Sequence, residues 1–87
     1  MHLLIYGQLG CTACKETIAL AQNYGLQYVY ETEATRKEIS DLVGESINTV
    51  PQIFIVKNGF SEYIGSGMSA LEDWIDEHYQ NGHINSD

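Results

Sequence analysis

The stretch Cys11-Thr12-Ala13-Cys14 decides how this chain is read. It follows the apolar run His2-Leu3-Leu4-Ile5-Tyr6 and the loop Gly7-Gln8-Leu9-Gly10, and it precedes a helix-like run from Lys15 to Tyr24. A strand, a short turn and a helix therefore meet at the two sulfurs. That position puts Cys11 at a helix N-terminus, where unpaired backbone N–H groups and the positive end of the dipole favour an anion such as a thiolate. Helix N-termini and Cys-X-X-Cys pairs lower a thiol pKa from about 8.5 to roughly 3.5–7.5. Cys11 is accordingly the expected nucleophile, and Cys14, one turn deeper, the expected buried resolving thiol. The chain has 2 cysteines, so the pair bonds to itself, to a partner or to a metal.

Composition narrows the class further. A length of 87 residues suits one small domain, near the size at which a single apolar core holds without staples. We expect that domain to occupy residues 1–80, with residues 81–87 a polar tail that lacks periodicity and frays. Two cysteines are too few for a secreted disulfide framework, so their role is chemical before it is structural. The strand-like start lacks the basic, long apolar region and cleavage site of a signal peptide, and no apolar run approaches the ~20 residues of a membrane span; the expectation is a cytoplasmic protein. Twelve Asp and Glu against four Lys and Arg give a formal net charge of −8. Such a surface repels phosphate backbones and anionic lipids, which argues against nucleic acid and membrane partners. The charge serves solubility, or it steers the protein toward a basic docking surface.

Outward from the dithiol the chain reads as alternating elements. Leu3 to Tyr6 is a compact apolar strand. Ala13, Ile18, Ala19, Leu20 and Ala21 predict an apolar helix stripe, which Gly25 is placed to end. Leu26 to Tyr30 is rich in strand formers, and strand-helix-strand order implies a right-handed crossover with a parallel pair. Thr35-Arg36-Lys37-Glu38 has capping-box spacing and opens a helix with Ile39, Leu42 and Val43 on one side, closing at Gly44. Gln52 to Val56 is the strongest strand. Asn58-Gly59 follows as a hairpin signal, so Phe60 to Ile64 should return antiparallel. Ser69-Ala70-Leu71-Glu72 predicts a second capping box, starting a helix with Leu71, Trp74, Ile75 and Tyr79 on its apolar side.

This order, β-α-β-α-β-β-α, with a Cys-X-X-Cys closing the first strand and Pro51 opening the third, resembles the thioredoxin superfamily and, more narrowly, a short dithiol glutaredoxin. Ile5-Tyr6, Thr49-Val50-Pro51-Gln52-Ile53-Phe54 and Tyr63-Ile64-Gly65-Ser66 stand where glutaredoxins carry matching segments. The likeness covers Leu3 to about Tyr79, and the abbreviated loops suit the compact forms found in bacteriophages. It implies an α/β thioredoxin-like fold, a four-stranded mixed sheet flanked by three helices, acting as a monomer. It implies thiol–disulfide oxidoreductase chemistry on protein or glutathione mixed disulfides, with glutathione or a thioredoxin reductase as reductant and ribonucleotide reductase as a client.

The same resemblance implies a cis Val50-Pro51 bond that turns the Val50 backbone toward the dithiol, where a substrate pairs as an added strand. It sets the substrate and glutathione groups at Gln8, Thr12 and Ala13, at Thr49, Val50 and Pro51, and at Ser66, Met68 and Ser69. In the last three the backbone N–H groups at a helix start would hold a carboxylate. No tightly bound cofactor is implied; glutathione enters as co-substrate. The departures bear on that co-substrate. Gln8 stands where many glutaredoxins have Lys, Ala13 where they usually have Tyr, and the Gly-Gly-X-Asp turn is replaced by a longer one ending at Ser69. A charge-assisted hydrogen bond is worth about 1.5–3 kcal/mol, so two missing contacts predict weaker glutathione binding. The acidic surface points the same way.

Other readings compete for the same residues. The cysteines could be inert core residues, although a strand-to-helix turn is not where such residues usually lie. His78 and His83 have H-x4-H spacing and complete a nominal zinc set with the dithiol, but they lie far from it along the chain; a cluster bridged between two chains is the iron–sulfur version. A binding module of the same fold, docking through the Pro51 face without turnover, is the non-enzymatic alternative. Tyr6, Tyr24, Tyr28 and Tyr30 read as core or sheet aromatics, Trp74 as a core anchor, and Lys15 as an exposed residue of the first helical turn.

Overall fold

The computed structural model describes residues 1–79. Its elements run β1 (His2–Tyr6), α1 (Thr12–Asn23), β2 (Tyr28–Glu31), α2 (Arg36–Val43), β3 (Gln52–Lys57), β4 (Phe60–Ser66) and α3 (Gly67–Tyr79). The polar tail at 81–87 and His83 lie outside the described residues.

The four strands form one mixed sheet in the order β2-β1-β3-β4. β1 runs parallel to β2 with Ile5 opposite Tyr30, and antiparallel to β3 with Ile5 opposite Ile53 and Tyr6 opposite Gln52. Asn58 and Gly59 both take positive φ, 54° and 84°, as the tight hairpin between β3 and β4 requires. Period-two alternation sorts the sheet into faces. Leu3, Ile5, Ile53 and Ile55 join Ala21, Leu26, Leu71 and Ile75 in the main core, with Ile18, Leu20, Tyr28, Tyr30, Ile64 and Trp74 packed around it. The neighbouring positions form an aromatic row: Tyr6 meets Phe54 edge-on at 5.6 Å, and Phe54 meets Tyr63 at 5.3 Å.

Several boundaries differ from the sequence expectation. α1 starts at Thr12, not Lys15, and Tyr24 is its C-cap, with Gly25 (φ 67°) one residue beyond. Its buried positions are Cys14, Thr17 and Ala21; Ala13 and Ala19 are exposed. The inward stripe therefore runs through Cys14, Thr17 and Ala21 at helical spacing. β2 starts at Tyr28 because Leu26, 6 % exposed, enters the core and its N–H bonds the Ala21 carbonyl at 2.9 Å. On α2 only Ile39 is buried, and Leu42 is exposed. Thr35 caps α2 with a reciprocal Thr35–Glu38 box, and Gly44 closes it at φ 95°. The second capping box does not form. α3 begins at Gly67, so Ser69 sits in its first turn and caps nothing as N-cap. The local reason is Gly67 itself, whose φ is 80° and whose N–H bonds the Pro51 carbonyl at 3.0 Å.

Candidate active site

Because β1 and β3 are antiparallel neighbours, the end of β1 and the start of β3 lie at the same rim of the sheet. The cysteine loop leaves one strand there and Thr49-Val50-Pro51 enters the other. Cys11 is the N-cap of α1, in an extended conformation, and its Sγ accepts from the Cys14 N–H at 3.1 Å. Its carbonyl accepts from Lys15 N–H at 3.1 Å, the first bond of the helix ladder. Cys11 and Cys14 are joined as a disulfide, their Cα atoms 5.2 Å apart. Cys11 is half-buried at the mouth of a cleft, whereas Cys14 is 0 % exposed. Thr12 and Ala13 stand exposed on the first turn, and Lys15 is exposed beyond them.

The cleft has a volume of about 370 Å³. Gly7, Gln8 and Cys11 form one wall, Thr32, Ala34, Arg36 and Ile39 a second, and Ile47 to Val50 a third. Arg36 is the only charged side chain among the described residues that line it. The chain as a whole carries a net charge of −8, so Arg36 is a local exception at the cleft wall.

The third wall is held from below. The Val50-Pro51 bond is cis and Pro51 is buried. Gln52, 2 % exposed, donates from Nε2 to the Thr49 carbonyl at 2.8 Å and accepts from the Tyr63 hydroxyl at 2.5 Å. Desolvation on burial raises the Tyr63 pKa above 10.0, with Glu45 adding to it. Tyr6 is raised in the same way, by burial first and then by Glu31 and Glu38.

Of the residues singled out in the sequence, Gln8, Cys11, Thr49 and Val50 meet in the cleft. Ser66 ends β4, and Met68 and Ser69 lie on the first turn of α3, outside the cleft lining. Arg36 and Tyr30 escaped sequence reasoning. Arg36 was visible only as a member of the capping box. Tyr30 was one of 6 tyrosines, yet its hydroxyl donates to the Gln8 carbonyl at 2.6 Å. For metal, the described residues contain no group of three or more His, Cys, Asp or Glu arranged to hold an ion. His78 instead stacks on Trp74 at 4.4 Å and pairs through Nδ1 with the Trp74 carbonyl. Among the described residues, no helix is long and apolar enough to cross a membrane.

The arrangement can do one thing directly: make and break a sulfur–sulfur bond at a partly open Cys11 with a covered partner one turn away. The glutaredoxin family model matches residues 3–60. Among solved structures, reduced Escherichia coli glutaredoxin is similar at 27 % identity and TM-score 0.74, over 92 % of this chain and 99 % of that one. A Brucella melitensis glutaredoxin is similar at 30 % identity and TM-score 0.64, over 99 % of this chain and 86 % of that one. A buckwheat glutaredoxin–glutathione complex is similar in fold at 20 % identity and TM-score 0.65, over 86 % of this chain and 68 % of that one. Among curated proteins, no sequence matches.

Proposed function

The chain belongs to the glutaredoxin family, and from that premise we propose that it is a dithiol thiol–disulfide oxidoreductase acting on protein and glutathione mixed disulfides. In the reducing direction the Cys11 thiolate attacks one sulfur of a client disulfide and the other leaves as a thiolate. Cys14 then attacks Cys11 Sγ, releasing the second client sulfur and closing the Cys11–Cys14 disulfide. A reductant delivers two electrons and two protons to reopen it. The observation that carries this reading is the half-buried Cys11 sulfur at a helix N-cap, with an amide N–H aimed at it and its partner sealed beneath. An amide donor and the N-terminal end of a helix dipole both favour the thiolate over the thiol.

Glutathione is the co-substrate in this proposal. Arg36 supplies a carboxylate-pairing cation in the cleft, which offsets part of what Gln8 and Ala13 do not provide. The Val50 backbone and Thr49 take the peptide portion, and the N–H groups around Ser66, Met68 and Ser69 are left for a second carboxylate. The buckwheat relative, solved with glutathione, supports the choice. Proteins carrying exposed disulfides are the other substrates, ribonucleotide reductase being the client that the family resemblance nominates. The protein acts as a monomer in the cytoplasm.

The test is NADPH consumption with a small mixed disulfide, run with glutathione plus its reductase and in parallel with thioredoxin reductase. Activity is expected in the glutathione arm. Cys11→Ser should abolish it, and Cys14→Ser should trap a Cys11 mixed disulfide with a protein client. No turnover in either arm, together with a Cys11 that alkylates at about pH 6 no faster than an ordinary thiol, would remove the catalytic reading.

A further inference from the structure

Reduction leaves Cys14 as a thiol in a fully buried place, 0 % exposed, where desolvation disfavours the ionised form that must attack. What surrounds that sulfur therefore governs the resolving step. Gly7 lies against it. A Cβ on Gly7 would meet Cys14 Sγ at 2.6 Å, Tyr30 Cε1 at 2.7 Å and the Tyr30 hydroxyl oxygen at 3.0 Å. Sulfur, ring and hydroxyl are thus neighbours across a residue with no side chain. The hydroxyl also donates to the Gln8 carbonyl at 2.6 Å, and the Gly7 N–H bonds the Glu31 carbonyl at 2.9 Å. β2 consequently grips the cysteine loop twice, once through backbone and once through Tyr30.

We propose that Tyr30 is a positioning residue for the resolving half-reaction: its hydroxyl clamps the Gly7–Gly10 loop over the dithiol while its ring walls the Cys14 sulfur. The proposal rests on the oxidoreductase reading and deepens it. In the step concerned, the Cys14 S–H loses its proton and the thiolate forms a bond to Cys11 Sγ. The bond from Cys11 to the client sulfur breaks, and the leaving sulfur takes the electron pair and then a proton. The change is a disulfide exchange with no net oxidation. Loosening the clamp frees the loop and lets the Cys14 rotamer drift from the line of attack. The phenol O–H is committed to the Gln8 carbonyl, so Tyr30 acts on the resolving thiol through placement, and the Cys14 proton passes to solvent.

A chromophoric aromatic disulfide such as 5,5′-dithiobis(2-nitrobenzoate) separates the two half-reactions by stopped flow. The first thiolate is released when Cys11 attacks and the second when Cys14 resolves. Tyr30→Phe keeps the ring and removes the hydroxyl. We expect its second phase to slow by about five- to tenfold, the scale of one hydrogen bond, with the first phase within about twofold. The pH profile of the second phase should keep its midpoint, because the hydroxyl acts by position and exchanges no proton with the thiol. Tyr28→Phe, which removes a hydroxyl that accepts from Gln22 at 3.1 Å on the same strand, should leave both phases alone and controls for general loss of stability. Gly7→Ala attacks the same junction from the other side and should slow the second phase too; it carries the test if Tyr30→Phe fails to fold. An unchanged second phase in the folded variant, or an equal slowing of both, overturns the role of Tyr30. A missing fast first phase in the parent protein overturns the oxidoreductase reading instead.

Discussion

Gln52 is covered by protein and uses both ends of its amide, holding Thr49 with one and Tyr63 with the other. Removing the Tyr63 hydroxyl leaves a buried acceptor without its donor, which costs about 1–3 kcal/mol. Tyr63→Phe should therefore lower the unfolding free energy measured in urea by that amount while keeping the ring contact with Phe54, and a variant as stable as the parent would show the bond to be idle. Tyr63 and Tyr6 also make stability depend on pH. Burial, reinforced by Glu45 in one case and by Glu31 and Glu38 in the other, puts both folded pKa values above the unfolded value of 10.0. Between those values the unfolded chain has lost protons that the folded chain retains, so stability falls as pH rises. Their contribution is complete below pH 10 and lost as pH rises through the folded values. Melting temperature should drop more steeply from about pH 9 to about pH 11 in the parent than in the Tyr6→Phe/Tyr63→Phe double variant. Equal slopes would exclude these two tyrosines as the cause.

At the scale of elements, two Ser/Thr-x-x-Glu patterns of the same form had different fates. Thr35 accepts from the Glu38 N–H at 3.1 Å and Glu38 accepts from the Thr35 N–H at 2.7 Å, so Thr35→Ala should cost about 1 kcal/mol. Ser69 is exposed inside α3, so Ser69→Ala should be neutral or slightly stabilising by helix propensity. Thermal melts of the two variants side by side check this; a loss at Ser69 matching that at Thr35 would contradict the observed helix start. The difference marks where sequence legibility ends. β1 and β3 were readable as short apolar runs bounded by local turn chemistry such as Asn58-Gly59, and the first box because Thr35 stands directly before the helix it caps. The start of α3 was not, since Gly67 there bonds Pro51, a residue distant in the chain that β3 and β4 pairing brings beside it. The site divides in the same way. Cys11 and Cys14 announce themselves by spacing. Tyr30 reaches the dithiol through parallel pairing with β1, and Arg36 reaches the cleft through the placement of α2. Nothing beside either residue in the chain signals it.

For the whole molecule, one apolar cluster carries the fold. Leu71 is 0 % exposed and joins α3 to strands and helix alike, so Leu71→Ala should cost about 2–5 kcal/mol through lost transfer energy and an unfilled cavity. Against the total stability of about 5–15 kcal/mol usual for a domain, that is a large fraction. Chemical denaturation should show it, and a loss under ~1 kcal/mol would mean that the core rearranges around the gap. Charge contributes little of comparable size. The exposed Lys37–Asp41 pair at 3.3 Å is worth a few tenths of a kcal/mol.

The dithiol closes the first strand while the wall facing it opens the third, and this has a consequence for synthesis. The sulfurs emerge from the ribosome well before Thr49, Val50 and Pro51, and before the strand that anchors them. A nascent chain that ends before them holds both cysteines without the third wall of the cleft. The cleft is complete only with β3 in place between β1 and β4, so fragments ending ahead of Pro51 should behave as ordinary dithiol peptides toward any oxidant they meet.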